Sequence, residues 1–406
     1  EFIADLSTVA DSLKAHHGSV LLVPRLAPLI RAASVFGFHL ATVDIRQSSD
    51  RHEAVVGELL RVARIAPDYA GLAEPERTAV LLRLLNDHPH AEVTQITSRS
   101  RMGEFAHGVH PNLRGARHGQ LQFIRPDDVQ KCDVIFLCLP HGEASTQIER
   151  WSALADTIID LSADFRLRDL AAYKRWYGED HPAPAWVDKF VYGLPELTRD
   201  QLKGARYASG VGCNATATNL ALLPLIRAGL LDTAQPIVSD IKVGSSEGGA
   251  TGSDGSHHPE RSGAVRTFAA VSHRHTAEVE QSIRMHGGAP GAIYMTITSI
   301  EMVRGAAATV HCFLKDKLQE KDLWKAFRSC YKDEPFVRIV KTNAGIFRAP
   351  EPKILAGSNW ADVGFYLSED GRKVTALCSI DNLMKGAAGS AVQCLNIMRG
   401  WDERAG

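Results

Sequence analysis

One stretch constrains this chain more than any other: Gly210-Val211-Gly212-Cys213-Asn214-Ala215-Thr216-Ala217-Thr218-Asn219, continuing into Leu220-Ala221-Leu222-Leu223-Pro224-Leu225. Two glycines let the backbone turn where a Cβ would clash. Small and hydroxyl residues follow, then an apolar run of helical length. The pattern predicts a turn that delivers Cys213 to a helix N-terminus. There the backbone N–H groups and the helix dipole favour a thiolate. A free thiol titrates at about 8.5, so the expectation is a lowered value and a larger nucleophilic fraction near neutral pH. The competing reading is a small buried cysteine beside a tight turn. A later Ser272-His273-Arg274-His275 motif, followed by Thr276-Ala277-Glu278-Val279-Glu280, favours chemistry instead.

Composition narrows the class. The chain has 406 residues, 45% hydrophobic and 23% charged, with a formal net charge of -1. That length accommodates two or three domains, and the balanced charge gives no argument for nucleic acid or membrane binding. No apolar run reaches the ~18 residues of a membrane span. The seven cysteines are scattered, without a C-x-x-C pair. This argues against a disulfide framework or zinc site and for a reducing, cytoplasmic compartment. The first residue is Glu1, with no methionine or signal-like segment, so a natural N-terminus further upstream is expected.

Taken in order, residues 1–83 read as helices around one strand. Residues 5–14, 21–36, 51–64 and 74–85 have helical spacing, and residues 38–45 alternate as a strand. Next come α/β signals: a strand over 92–97 and a buried parallel strand through Cys132-Asp133-Val134-Ile135-Phe136-Leu137. The latter runs into the turn Cys138-Leu139-Pro140-His141-Gly142. A short strand is expected over 157–161 and another over 236–243. A loop over 245–261 carries Ser246-Glu247-Gly248-Gly249-Ala250 and His257-His258-Pro259-Glu260-Arg261. Adjacent histidines raise a metal, but no spaced partner supports one, so no metal is expected. A substrate-facing loop fits better, with backbone amides and Arg261 for anionic oxygens. Residues 291–313 and 362–379 alternate like strands of an antiparallel sheet. Thr276 is expected to cap a helix that carries Glu278 and Glu280.

From about residue 84 onward the motifs resemble the acyl-phosphate reductases. These comprise N-acetyl-gamma-glutamyl-phosphate reductase and its lysine-pathway relative, which acts on an aminoadipyl or glutamyl phosphate held on a small carrier protein. The resemblance rests on Gly212-Cys213-Asn214-Ala215-Thr216-Ala217, His273-Arg274-His275, Asp164-Phe165-Arg166-Leu167, Tyr192-Gly193-Leu194-Pro195-Glu196, Glu334-Pro335-Phe336-Val337-Arg338 and Asp381-Asn382-Leu383-Met384-Lys385-Gly386. Gly-Cys-Asn-Ala-Thr is closer to the lysine-pathway branch than to the arginine enzymes.

The resemblance implies an α/β fold: a Rossmann-like parallel-sheet domain (84–212 and 376–406) and an α+β catalytic and oligomerisation domain with an antiparallel sheet (213–375). It implies Cys213 as nucleophile and His275 as acid/base, with His273 second. Asn214, Ser246, Arg261 and Arg274 are expected around the substrate, Arg274 positioning the histidines or pairing with Glu278. NADP is the implied cofactor, held by Ser98, Arg99, Ser100, Pro140, Gly142, Asn382 and Gly386. An arginine and hydroxyls after the second strand, where an acidic residue would select NAD, favour a 2′-phosphate. A homodimer or homotetramer is also implied.

The family's first strand and its Gly-x-x-Gly-Tyr-x-Gly phosphate-binding turn are not in this sequence. Residues 1–83 instead resemble an internal segment of phosphoenolpyruvate carboxylase, carried by Phe36-Gly37-Phe38-His39-Leu40-Ala41-Thr42-Val43-Asp44-Ile45-Arg46-Gln47-Ser48-Ser49-Asp50. Arg46 matches an arginine which that family uses near the substrate phosphate. None of its other catalytic motifs occurs, so carboxylase activity is not expected. The chain therefore reads as a fusion. Three functions stay open: the carrier-dependent reductase, the N-acetyl-gamma-glutamyl-phosphate reductase, and a catalytically silent fusion with a damaged cofactor site.

Overall fold

A computed structural model describes residues 75–248 and 258–406, with isolated positions 7, 8, 10–12, 15 and 30 before them. The chain divides into two compact units, Glu1–Pro67 and Asp68–Gly406. Within the first, residues 7, 8 and 10–12 are helical, inside the helix expected over 5–14. The expected strand over 38–45, Arg46, the turn 47–50, the helix over 51–64 and all of the helix over 21–36 except residue 30, which is helical, lie outside the described residues, as does His257.

The second unit opens on helix α1, Pro75–Asn86. Its leucines recur on one stripe, and that spacing divides the helix between two cores. Leu81 and Leu85 pack on Ala388 and Val392. Leu82 packs on Ile96, Leu113 and Phe123. The strand expected over 92–97 is short: β1 is Ile96–Thr97, paired in parallel with β2, Phe123–Ile124. Four further parallel strands form a separate sheet in the order β3-β4-β6-β5: β3 Cys132–Leu137, β4 Ala155–Asp160, β5 Phe190–Tyr192 and β6 Tyr207–Ser209.

The nucleotide-type sheet is thus in two pieces. Among the described residues no strand joins β1 to β3. Gln95 and Gln130 link the pieces at one end, through a side-chain amide to a carbonyl at 3.1 Å and a backbone N–H to Gln95 Oε1 at 2.7 Å. Between them lies a cavity of about 930 Å³, lined by residues 90–101 on one side and 131–140 on the other. Neighbouring strands sit ~4.8 Å apart in a continuous sheet.

The other sheet has seven strands in the order β11-β12-β13-β10-β7-β9-β8. They are β7 Ile237–Val243, β8 Arg266–Ala269, β9 Ile293–Ser299, β10 Ala306–Phe313, β11 Val337–Ile339, β12 Ala361–Leu367 and β13 Lys373–Ile380. The sheet is mixed, not purely antiparallel: β7 runs parallel to β9 and β11 to β12. β9 and β10 follow each other in the chain through Arg304-Gly305 but are not neighbours in the sheet, because β7 inserts between them. Alternation places Ala306, Ala308, Val310 and Cys312 of β10 on the core face. Against that face pack helix α2, Cys213–Arg227, and helix α4, Glu320–Tyr331. Twelve residues of α2 are buried, as the apolar run requires for a helix enclosed on several sides. Helix α3, Thr276–Met285, flanks it. The chain closes on a π-helical turn, Met384–Ala388, and helix α5, Gly389–Arg399.

Candidate active site

Cys213 is the first residue of α2, with Gly212 as the cap. Both glycines of the turn are required by close approach. A Cβ on Gly210 would lie 3.0 Å from the Asp160 carbonyl oxygen. One on Gly212 would meet His275 Nε2 at 2.5 Å and Glu278 Oε1 at 2.6 Å. The turn that carries the sulfur is therefore also the floor on which His275 and Glu278 rest.

Glu278 is the hub of that floor, and sequence reasoning gave it only a pairing with Arg274. It is buried and accepts from the Gly212 N–H at 3.0 Å and the Tyr192 hydroxyl at 2.8 Å. Arg166 Nη1 lies 3.6 Å away, and Arg166 Nε donates to the Gly210 carbonyl at 3.1 Å. One carboxylate and one guanidinium thus hold both ends of the Gly210–Gly212 turn. The signal was present in the Asp-Phe-Arg-Leu and Tyr-Gly-Leu-Pro-Glu motifs, but only folding brings them behind Cys213.

His275 is buried, 3.9 Å from Glu278 Oε1, with Nδ1 unpartnered. Burial, then His273, Arg166 and Arg274, push its pKa well below the usual imidazole value. The shift favours the neutral ring, in which one nitrogen carries a proton and the other does not. Its ring centroid is 4.5 Å from that of His273, itself lowered to about 4 by burial and then by the charge of Arg274. His275 rather than Thr276 occupies the cap position of α3, and Thr276 Oγ1 instead accepts from the His273 N–H at 3.4 Å. Arg274 is exposed.

The expected thiolate is not what the geometry favours. Cys213 Sγ donates to Glu247 Oε1 at 3.0 Å, and Asn214 Nδ2 reaches the same oxygen. Burial, then the charge of Glu247, push the thiol well above its ordinary range. The helix-terminus effect is real but falls off within a turn. A carboxylate in direct contact outweighs it.

Glu247 stands on a 3₁₀ turn, Ser245–Gly248, pinned by Ser245 and Ser246 N–H bonds to the Met302 and Val303 carbonyls. Asn382 locks the same turn: its Oδ1 accepts from the Gly305 N–H at 2.7 Å, and its amide donates to Ser246 Oγ at 3.0 Å. Asn382 and Ser246, expected on cofactor and substrate respectively, meet each other in the wall beside Cys213. Gly386 lies against Cys213 itself, where its Cβ would fall 2.7 Å from Cys213 Cβ. Arg261 donates to the Val243 carbonyl at 3.1 Å, and its charge reaches Glu247.

The cofactor-side residues form a second group. Ser98, Arg99, Ser100 and Pro140 line the cavity between the split sheets. Ser98 Oγ accepts from the Ser100 and Arg101 N–H groups, shaping the loop after β1. Arg99 is bound through both guanidinium arms to Glu143 at 3.2 and 2.5 Å. Gly142 takes a positive φ of 86° and donates its N–H to buried Asp164 at 2.8 Å, which fixes the turn after β3. The Ser98-Arg99-Ser100 loop has donor chemistry that fits a 2′-phosphoribose, two hydroxyls and a guanidinium, and all three residues line the cavity, with Arg99 engaged by Glu143. Among the described residues no glycine turn faces the same cavity to meet a pyrophosphate. Cys213 does not line that cavity. Among the described residues no cluster of histidine, cysteine and carboxylate has metal-ligand geometry, and no helix is long and apolar enough to cross a membrane.

A parallel nucleotide-type sheet, a mixed sheet and a cysteine at the helix start between them define a semialdehyde-dehydrogenase-type oxidoreductase that depends on NADP. Residues 78–205 match the family model "Semialdehyde dehydrogenase, NAD binding domain", and residues 213–382 match "Semialdehyde dehydrogenase, dimerisation domain". The chain belongs to the LysW-L-2-aminoadipate/LysW-L-glutamate phosphate reductase family. It is 51% identical over 329 residues to a putative LysW-L-2-aminoadipate 6-phosphate reductase of Thermomicrobium roseum, covering 80% of this chain and 93% of that protein. It is 46% identical over 327 residues to the LysW-L-2-aminoadipate 6-phosphate reductase of Deinococcus radiodurans, covering 80% and 91%. Among solved structures, aspartate semialdehyde dehydrogenase II of Vibrio cholerae superimposes with a TM-score of 0.59 at 11% identity, over 79% of this chain and 95% of that one. A probable aspartate-semialdehyde dehydrogenase of Pseudomonas aeruginosa gives 0.58 at 16% identity, over 80% and 95%. Residues 1–104 match the phosphoenolpyruvate carboxylase model, overlapping the nucleotide-binding match at its start.

Proposed function

We propose that the chain reduces a LysW-carried L-2-aminoadipate 6-phosphate, or the corresponding glutamyl phosphate, to its semialdehyde in lysine or arginine biosynthesis. The observation that carries this reading is the Cys213 turn, with His275 against Gly212 and Gly386 against the cysteine. Cys213 attacks the acyl carbon and expels phosphate, leaving a thioester. Neutral His275 donates an N–H to the substrate oxygen as negative charge develops there. Arg261 and Arg274 supply positive charge for the phosphate, and Asn214 and Ser246 line the approach. NADPH, once bound at the Ser98-Arg99-Ser100 loop, supplies the hydride that takes the thioester to the aldehyde level. The dimerisation-type domain assembles two or four copies.

The test offers LysW-carried aminoadipyl phosphate and free N-acetylglutamyl phosphate to one preparation, and follows phosphate release and the intact mass of the protein. The carrier-bound substrate should react and leave an acyl adduct that Cys213→Ser lacks. Reaction with the free substrate alone assigns the chain to the N-acetyl branch. Full activity in Cys213→Ser removes the mechanism. Acylation without NADPH oxidation identifies a reductase silenced at its cofactor site.

A further inference from the structure

Deepening that reading, and resting on it, we infer that Glu247 is the base that takes the Cys213 thiol proton. His275 is the imidazole of the site, yet the thiol is hydrogen-bonded to the carboxylate, at 3.0 Å. Glu247 is placed by design of the surrounding wall, not by chance of an exposed loop. Its turn is fixed to residues 302–305 by backbone bonds and to Asn382 through Ser246. A Cβ on Gly244 would meet the Val303 carbonyl oxygen at 2.5 Å, so the two loops are in van der Waals contact. One Glu247 oxygen accepts from both Cys213 and Asn214, while the other is buried without a hydrogen-bond partner. An unpaired buried carboxylate oxygen costs free energy, and such an exception in a folded chain calls for an explanation.

The charges that face this pair sort the roles. Burial raises the Glu247 carboxyl above its usual range, against the hydrogen bonds from Cys213 and Asn214 and the charges of Arg261 and Arg274. Arg77 and Arg166 act on Cys213, but less than Glu247 does. The resting pair is therefore a thiol and a carboxylate. Burial most of all, then His273, Arg166, Arg274 and Arg77, oppose a proton on the His275 ring, with Glu278 at 3.9 Å the one carboxylate that faces it. An imidazole so placed is a poor acceptor for the thiol proton. The carboxylate is the acceptor in contact.

The step balances. As sulfur bonds to the acyl carbon, its acidity rises and its proton passes to Glu247, while the carbon–oxygen bond to phosphate breaks and phosphate leaves with the electron pair, taking up a proton from solvent. After hydride from NADPH has reduced the thioester, the carbon–sulfur bond breaks. Its electron pair returns to sulfur, which recovers the proton from Glu247.

The test measures two reactions of Cys213 in the full chain without cofactor. One is single-turnover phosphate release from acetyl phosphate and from LysW-L-2-aminoadipate 6-phosphate. The other is alkylation by iodoacetamide at pH 7. Glu247→Gln should slow phosphate release about 100-fold or more, the range of a lost general base. The same change should speed alkylation severalfold, because removing the neighbouring negative charge lowers the thiol pKa. Glu247→Asp should recover part of the phosphate release. Two reactions moving in opposite directions are not produced by a residue that merely props the sulfur. If both fall together, both rise together or neither changes, the assignment is overturned. A wild-type chain that releases no phosphate from either compound overturns the acyl-transfer reading itself, a failure distinct from one seen only in the variants.

Discussion

Gly386 packs directly on Cys213: a Cβ on the glycine would lie 2.7 Å from Cys213 Cβ and 3.1 Å from its Cα. The π-helical turn Met384–Ala388 is therefore part of the seat of the nucleophile. Gly386→Ala should leave the mixed sheet folded but displace the start of α2. We expect acylation of Cys213 to fall at least tenfold with little change in circular dichroism. Unchanged acylation in a crystallised variant would show that the contact is not restrictive.

The neighbouring Lys385 bears on stability. Its ammonium donates to Glu196 at 2.6 Å and to Gln393 at 2.8 Å, and both charged side chains are fully buried. Removing one partner leaves an uncompensated buried charge, at about 3–5 kcal/mol. Lys385→Met should lower unfolding free energy by that order in a urea titration. Lys385→Met with Glu196→Gln should recover most of the loss. A single variant costing under about 1 kcal/mol would contradict the reading.

Asp160 gives a pH dependence. Its carboxyl is pushed up to about 7 by burial and then by the charge of Asp164, against the Ser162 hydrogen bonds. Between the unfolded value near 3.9 and that folded value, the native state holds a proton that the unfolded state has released. Stability from this group is therefore present below about pH 4 and is lost as pH rises to about 7. Asp160→Asn should raise the Tm relative to wild type at pH 8, and the gap should shrink toward pH 4. A gap that widens on acidification would reverse the sign and refute it.

Arg99 is the test of cofactor choice. Its guanidinium is held by Glu143 and largely exposed, so its pairing with a 2′-phosphate is screened and modest. Arg99→Ala should weaken NADP binding about tenfold, or about 1.4 kcal/mol, and leave NAD binding unchanged. Calorimetric titration with both cofactors reads the ratio directly. Equal loss for both would place Arg99 away from the ribose.

Much of the site was legible because short motifs encode local geometry. Gly-Val-Gly-Cys announces a turn into a helix, and the helix follows at Cys213. Ser272-His273-Arg274-His275 precedes a helix, and His275 does reach the cysteine turn, beside Gly212. Glu247 was read only as one letter in a glycine- and serine-rich loop. Its importance comes from packing against Cys213, 34 residues away in sequence. Glu278 and Arg166 are 112 positions apart yet meet at 3.6 Å. The insertion of β7 between β9 and β10 was likewise invisible, since alternation specifies which face a strand shows and not which neighbour it takes.

What the residues dictate on their own is local: where the backbone turns, which stripe of a helix is apolar and that a cysteine begins α2. Those properties depend on sterics and periodicity within a few residues. Only the tertiary structure decides the protonation of that cysteine. A thiol at a helix start is acidic by local rules, but a carboxylate brought in from another loop, at 3.0 Å and partly shielded from water, reverses the balance. Electrostatic energy depends on distance and dielectric, and both are set by folding.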